Sequence, residues 1–210
     1  MSSLHPFVQP SPLLKRDLKR LLELAQLSFS RAWNPGTGGN FSLRQDQNLC
    51  WVSASGKHKG LLTVEDFLPI GINDAQPVAP CLRKPSDETA LHCAIYRASE
   101  EARAVLHVHT PHTVAMVKKP LLLSDNEMLK VFGFPTHETE IEVPSLPNTQ
   151  DMQNLGLSVA PYLNHQLKVL VLEGHGVYAW GRTADEAMYR IEALEYLCTL
   201  NHLRLSSSSV

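Results

Sequence analysis

Two histidines stand one residue apart in Leu106-His107-Val108-His109-Thr110-Pro111-His112. The polar segment from Glu101 to Arg103 runs into a short, partly β-branched one, which reads as a strand ending at Pro111. Side chains alternate along a strand, so His107 and His109 point to the same face. Two imidazoles side by side on a rigid strand form half of a transition-metal site. A third candidate is His175, which stands between Gly174 and Gly176 at the start of another strand. Glycine on both sides lets the backbone turn sharply and bring the imidazole into a crowded centre. Three neutral imidazoles leave a divalent ion with open positions, the layout of a catalytic rather than a structural site. Such an ion binds a ketone and an adjacent hydroxyl and acts as a Lewis acid when a bond at the α-carbon breaks. A nearby carboxylate then supplies the acid or base.

Two carboxylates are candidates for that role. Glu88 follows Lys84-Pro85-Ser86-Asp87 at the head of a helix that runs to about Ser99, with Ser86 as N-cap and Leu91, Ile95 and Ala98 facing inward. The position also suits simple electrostatics with the positive end of the helix dipole. Glu127 lies three residues after Ser124, the spacing of a capping box. Two loops suit an anion. Gly36-Thr37-Gly38-Gly39-Asn40-Phe41-Ser42 allows close backbone approach to a ligand and lacks the Gly-Lys-Ser/Thr of a P-loop. Ala54-Ser55-Gly56-Lys57-His58-Lys59-Gly60 offers hydroxyls, a glycine and two lysines, as an anion cradle or as a solvated turn.

The elements that must position these residues alternate along the chain. A helix starts at Ser11-Pro12, with Leu14, Leu18, Leu21, Leu22 and Ala25 inward, and ends before Asn34-Pro35. Strands are expected near Phe41, at Leu49–Ser53, at the histidine pair, at Ile141–Pro144, at Lys168–Leu172 and after His175. Thr63–Phe67 reads as a short capped helical turn and residues 113–118 as a short helix. Helices are expected from Asn148 to about Asn164 and from the Thr183/Glu186 capping box to about Leu205. The class is α/β or α+β, one domain over residues 1–210 around one sheet, with loose tails at 1–10 and 206–210. A net charge of -2 leaves no footprint for nucleic acid or an anionic membrane. No apolar run approaches the roughly 18 residues of a membrane span, and Met1–Pro12 does not read as a secretion signal. Cys50, Cys81, Cys93 and Cys198 are scattered, which suits thiols in a cytoplasmic protein.

In this order and spacing, Gly38-Gly39-Asn40-Phe41-Ser42, Ser53-Ala54-Ser55-Gly56, Lys84-Pro85-Ser86-Asp87-Glu88-Thr89, His107-Val108-His109 and Gly174-His175-Gly176 resemble the class II aldolase/adducin family, from about Leu13 to Leu205. The resemblance implies a largely antiparallel central sheet flanked by helices and a homotetramer with active sites at subunit interfaces. It implies that His107, His109 and His175 bind one zinc ion per subunit. It places Asn40, Ser55, Gly56 and Ser86 around the phosphate of a small sugar-phosphate substrate, with Gly39 and Lys57 beside them. Family aldolases often have a second serine where this chain has Asp87, and an acid there is expected to turn away from the phosphate. The runs Trp33–Ser42, Ser53–Gly60, His107–Thr110 and His175–Gly181 are most similar to a dehydratase branch that removes water from a ketose phosphate. In eukaryotic members of that branch a catalytic glutamate lies in a His-Gln-Glu-Met segment, which Asn126-Glu127-Met128 resembles. The acid/base is therefore Glu127 or Glu88. The alternative activity is a sugar-phosphate aldolase or epimerase of the fuculose or ribulose phosphate type, in which Glu88 is decisive. A non-catalytic scaffold, as in adducin heads, has no need of all three histidines.

Overall fold

The structure is a computed structural model that describes residues 8–118 and 121–207. Pro120, residues 1–7 of the expected N-terminal arm and residues 208–210 of the expected C-terminal tail lie outside the described residues. A seven-stranded sheet forms the centre, in the order β3 (Phe67–Gly71), β2 (Leu49–Ser53), β1 (Asn40–Arg44), β4 (Ala104–Val108), β9 (Gly176–Gly181), β8 (Val169–Leu172) and β7 (Ser145–Leu146). Every pairing is antiparallel except the short β7–β8 pair. A separate hairpin joins β5 (Leu122–Ser124) to β6 (Glu140–Glu142). The remaining elements are α1 (Pro12–Ser30), α2 (Thr89–Ala98), α3 (Pro111–Met116), α4 (Met152–Ser158), α5 (Ala160–Leu163) and α6 (Ala184–Ser207).

Helices cover both faces, so the central strands are buried throughout and β8 reads as an unbroken apolar run. Strand alternation sorts the residues into two cores. Phe41, Leu43, Leu106, Val108, Val177 and Ala179 pack with α1 and α6. Val105, Leu170, Tyr178 and Trp180 pack with α2, α4 and α5. By the same alternation Asn40, Ser42, Arg44 and His107 stand on the α2 face. This buried polar strip sets the site.

Several local expectations change. Ser86 does not cap α2, whose N-cap is Glu88 without a side-chain bond. The Ser86 hydroxyl instead accepts from Asn40 Nδ2 at 3.1 Å. Ala98 is exposed, and His92 and Tyr96 are buried in its place. The Ser124/Glu127 capping box does not form, because Ser124 belongs to β5. Asn126 caps the following 3-10 turn, accepting from the Met128 amide at 2.9 Å. The helix expected from Asn148 starts at Met152 behind an Asp151 cap and is interrupted at Val159, two residues before Pro161, which has no amide hydrogen to continue it. Thr183 accepts from the Glu186 amide as a cap, but the Glu186 carboxylate returns to Arg182. α6 continues through Ser206 and Ser207, whose hydroxyls donate to the carbonyls one turn back.

Candidate active site

The floor of the site comes from three adjacent strands. Their register sets Asn40 opposite His107 and His107 opposite Tyr178, so the three side chains form one row across β1, β4 and β9. The Tyr178 ring stacks on His107 with centroids 4.1 Å apart. His109 follows the end of β4, its amide held by the Trp33 carbonyl at 2.8 Å. His175 sits in the tight turn between β8 and β9, where Gly174 adopts a left-handed φ of 69°. A Cβ on Gly176 would lie 2.5 Å from the Val108 carbonyl oxygen and 2.8 Å from His107 Cε1. The two glycines thus let the third imidazole close on the first two.

The three rings present one ligand atom each within 4.8 Å of one another. His107 Nδ1 donates to the Val177 carbonyl at 3.1 Å, and His175 Nδ1 donates to Asn148 Oδ1 at 3.2 Å. Each bond fixes a tautomer that leaves Nε2 as a lone pair, as metal-ligating histidines require. Nε2 of His109 lies 3.0 Å from Nε2 of His107. Burial keeps His107 uncharged, pushing it down to about 3, and burial with the neighbouring His175 lowers His109 as well. Glu88 closes the group, with Oε1 2.9 Å from His175 Nε2 and Oε2 3.4 Å from His107 Nε2. Lone pairs and a carboxylate crowded this closely repel one another unless a cation lies among them. The donor set therefore fits a divalent metal.

Burial opposes ionisation of Glu88, but positive charge at the His107 and His175 rings, whether a shared proton or a bound cation, together with a hydrogen bond from Asn40, outweighs it and holds the carboxyl well below the usual range. Glu88 is a carboxylate at neutral pH. Tyr178 behind it is raised far above the ordinary phenol range by burial and by the Glu88 charge, so it stays protonated.

A cavity of about 370 Å³ opens in front of this group. Its lining includes Gly39, Asn40, Ser55, Gly56, Ser86, Glu88, His109 and His175, eight of the residues singled out from sequence, and adds Thr37, Gly38, Ala54, Asp87 and Gln150. His107 lies beneath it, fully buried. Asp87 reaches the rim, exposed and paired with Lys84 at 2.5 Å. Lys57 does not line the cavity; its ammonium lies 3.2 Å from Asp66. Lys59 is the buried lysine of that loop, donating to the carbonyls of Thr37 at 2.8 Å and Lys57 at 2.6 Å, so it ties the two loops together. Glu127 lies away from this cavity, exposed, and pairs with Lys130 at 2.5 Å and His137 at 3.4 Å. His112 does not line the cavity and contacts Glu195 at 2.9 Å. Sequence reasoning missed Asn148, Tyr178 and Gln150. Tyr178 alone carried a signal, since it lies in the run His175–Gly181 that resembles the family.

The class follows from comparison with known proteins. The family model described as "Class II Aldolase and Adducin N-terminal domain" matches residues 19–202, and the chain belongs to that family. Among curated proteins, the methylthioribulose-1-phosphate dehydratase of Citrobacter koseri is 43% identical over 190 residues, covering 86% of this chain and 91% of the relative. The methylthioribulose-1-phosphate dehydratase of Xanthomonas campestris pv. campestris is 42% identical over 204 residues, covering 90% and 93%. Among solved structures, L-fuculose-1-phosphate aldolase from Thermus thermophilus superposes with a TM-score of 0.75 at 25% identity, covering 93% of this chain and 98% of that one.

Proposed function

We propose that this chain is a zinc-dependent hydro-lyase that converts 5-methylthioribulose 1-phosphate to 2,3-diketo-5-methylthiopentyl 1-phosphate in methionine salvage. The observation that carries the substrate is the near full-length likeness to enzymes named for it, with Glu88, His109 and His175 lining one cavity and His107 directly beneath it. His107, His109 and His175 would hold the metal through their ring nitrogens. Zinc, when bound, supplies Lewis acidity that stabilises negative charge on the C2 and C3 oxygens.

Glu88, ionised and buried at the triad, takes the C3 proton. The electron pair left at C3 delocalises toward the C2 carbonyl and then returns to expel the C4 hydroxyl. That hydroxyl leaves as water when it receives a proton. The resulting enol gains a proton at C4, releases the proton of its C3 hydroxyl and becomes the diketone. Asn40, Ser55, Gly56 and Ser86 offer an amide, two hydroxyls and an open backbone for the substrate phosphate. Lys57 joins them if it exchanges Asp66 for the phosphate.

The C4 proton needs a donor other than Glu88, which faces C3. Asp87, the other carboxylate in the cavity lining, is exposed and paired with Lys84. Glu127 is exposed on its own chain, so we assign it as the acid that reaches the cavity of a neighbouring copy. The cavity wall supports such an arrangement: among the described residues no apolar side chain larger than Ala54 lines it, yet the methylthio group needs an apolar wall. A homotetramer with sites at subunit interfaces supplies both. All four cysteines are free thiols, which suits the cytoplasm.

The test is zinc-loaded protein given 5-methylthioribulose 1-phosphate, with diketone followed by absorbance. Diketone formation is expected. Its absence, together with cleavage of L-fuculose 1-phosphate, would move the chain to the aldolase activity of its structural neighbour.

A further inference from the structure

Behind the cavity, α2 and β1 are joined by buried polar side chains arranged as rungs. Glu88, His92 and Tyr96 recur every fourth residue on the helix side, and Asn40, Ser42 and Arg44 every second residue on the strand side. Four helical residues advance about 6.0 Å and two strand residues about 6.7 Å, so the rungs stay matched. Asn40 Nδ2 donates to Glu88 Oε2, and Asn40 Oδ1 meets His92 Nε2. His92 Nδ1 lies 2.7 Å from Ser42 Oγ, and Ser42 Oγ lies 2.7 Å from the Tyr96 hydroxyl. Arg44 donates to the Tyr96 carbonyl, with its guanidinium 4.8 Å from the centre of that ring. Asn40, Ser42, His92 and Tyr96 are at most 4% exposed, and none of the last three lines the cavity.

The polarity of this chain is fixed at Asn40. Its Nδ2 reaches two acceptors, Glu88 Oε2 and the Ser86 hydroxyl at 3.1 Å, so the NH2 faces the cavity and the amide oxygen faces His92. That oxygen only accepts, so His92 carries its proton on Nε2 and leaves Nδ1 to accept from Ser42. Ser42 in turn accepts from Tyr96. Burial keeps His92 uncharged, lowering it to about 4, as one proton on the ring requires. A flipped Asn40 amide would set its oxygen against the carboxylate and leave His92 facing a donor.

We propose that His92, backed by Ser42 and Tyr96, is a positioning residue that locks the Asn40 amide with its NH2 toward Glu88 and the phosphate end of the cavity. The proposal rests on the reading of Glu88 as the group that takes the C3 proton. A core that only needed filling would take apolar residues here, since a half-satisfied buried network is worse than none.

The experiment has two arms. The first is histidine side-chain 15N NMR of the wild-type protein, with the His92 signals assigned by their loss in His92→Leu. The neutral Nε2–H tautomer is expected. The Nδ1–H tautomer, or a charged ring at neutral pH, overturns the proposal. The second arm is a double-mutant cycle of His92→Leu and Asn40→Ala on zinc-loaded protein, read as kcat and KM for 5-methylthioribulose 1-phosphate. His92→Leu is expected to lower kcat about 10- to 100-fold with bound zinc unchanged, and the double variant to be no slower than Asn40→Ala alone. Additive losses, or full activity in His92→Leu, overturn it. Ser42→Ala, which keeps the volume, serves in the same cycle if His92→Leu does not fold. Wild-type protein without turnover would sink the dehydratase reading, and the tautomer would still decide the relay.

Discussion

Glu88 Oε1 lies 2.9 Å from Nε2 of His175. The candidate acid/base carboxylate is thus already at the three candidate ligand rings, held there by Asn40 and kept ionised. Replacing it by its isosteric amide removes the base and keeps the volume. Glu88→Gln is expected to lower kcat by about 10²- to 10⁴-fold, the usual range for a lost general base. Bound zinc, measured by metal analysis, is expected to stay near one per subunit, because the three imidazoles remain. A variant that loses zinc in proportion to activity would make Glu88 a ligand and not a base.

Glu127 makes a different prediction, because it is exposed and lies away from the cavity of its own chain. Glu127→Gln and Glu88→Gln are each expected to be nearly inactive. Unfolding them together and refolding at equal amounts would give mixed oligomers. If Glu127 serves a neighbour, a quarter of the sites regain both carboxylates, and about a quarter of wild-type activity per subunit returns. A mixture as inactive as its components would place both groups in one chain, or remove Glu127 from the chemistry.

The candidate metal triad was legible in the sequence because strand alternation and glycine flanks are local rules. His107 and His109 follow from the first, and His175 from the second. The sheet-and-helix class was legible from the alternation of periods, as with the unbroken apolar run of β8. What was not legible depends on partners far along the chain. Ser86 reads as a helix cap because a hydroxyl before Asp-Glu is suited to one, yet Asn40, 46 residues away, claims it. His92 and Tyr96 read as unremarked helical positions until β1 is laid against α2. Lys57 and Lys59 are indistinguishable as letters, and only packing shows that Lys59 is the buried one.

Lys59 sets a pH dependence. Burial lowers its ammonium from the ordinary lysine range to about 8, against the attraction of Glu88. Below pH 8 it adds positive field to the cavity, and above pH 8 that field fades. KM for the phosphorylated substrate is expected to rise about 3- to 10-fold between pH 7 and 9, and Lys59→Met to have a raised KM without this step. Stability moves the other way. The folded-state pKa lies below the unfolded one, so between about 8 and 10.5 the unfolded chain binds the proton that the folded chain has released, and stability from this group grows with pH. Urea midpoints across that window, compared with Lys59→Met, isolate the contribution. A KM that is flat in wild type would remove Lys59 from substrate binding.

Gly176 and Gly56 separate two uses of glycine. At Gly176 the problem is space, since an added Cβ would meet the Val108 carbonyl at 2.5 Å, His109 Cδ2 at 2.7 Å and His107 Cε1 at 2.8 Å. Two of those atoms belong to candidate ligand rings on a buried strand, which cannot yield without moving Nε2. Gly176→Ala is expected to destabilise the fold by about 1–3 kcal/mol, as overpacking does, and to lower zinc affinity out of proportion to that loss. At Gly56 nothing lies within 4 Å, but φ is 68°, so the penalty is backbone strain alone. Gly56→Ala is expected to cost about 1 kcal/mol, to bind zinc normally and to raise KM through the displaced phosphate loop. Zinc titrations and urea melts of the two variants side by side check the pair. Equal zinc affinity in both would mean that the turn at His175 tolerates a side chain, and that Gly176 is not what lets the third imidazole close on the other two.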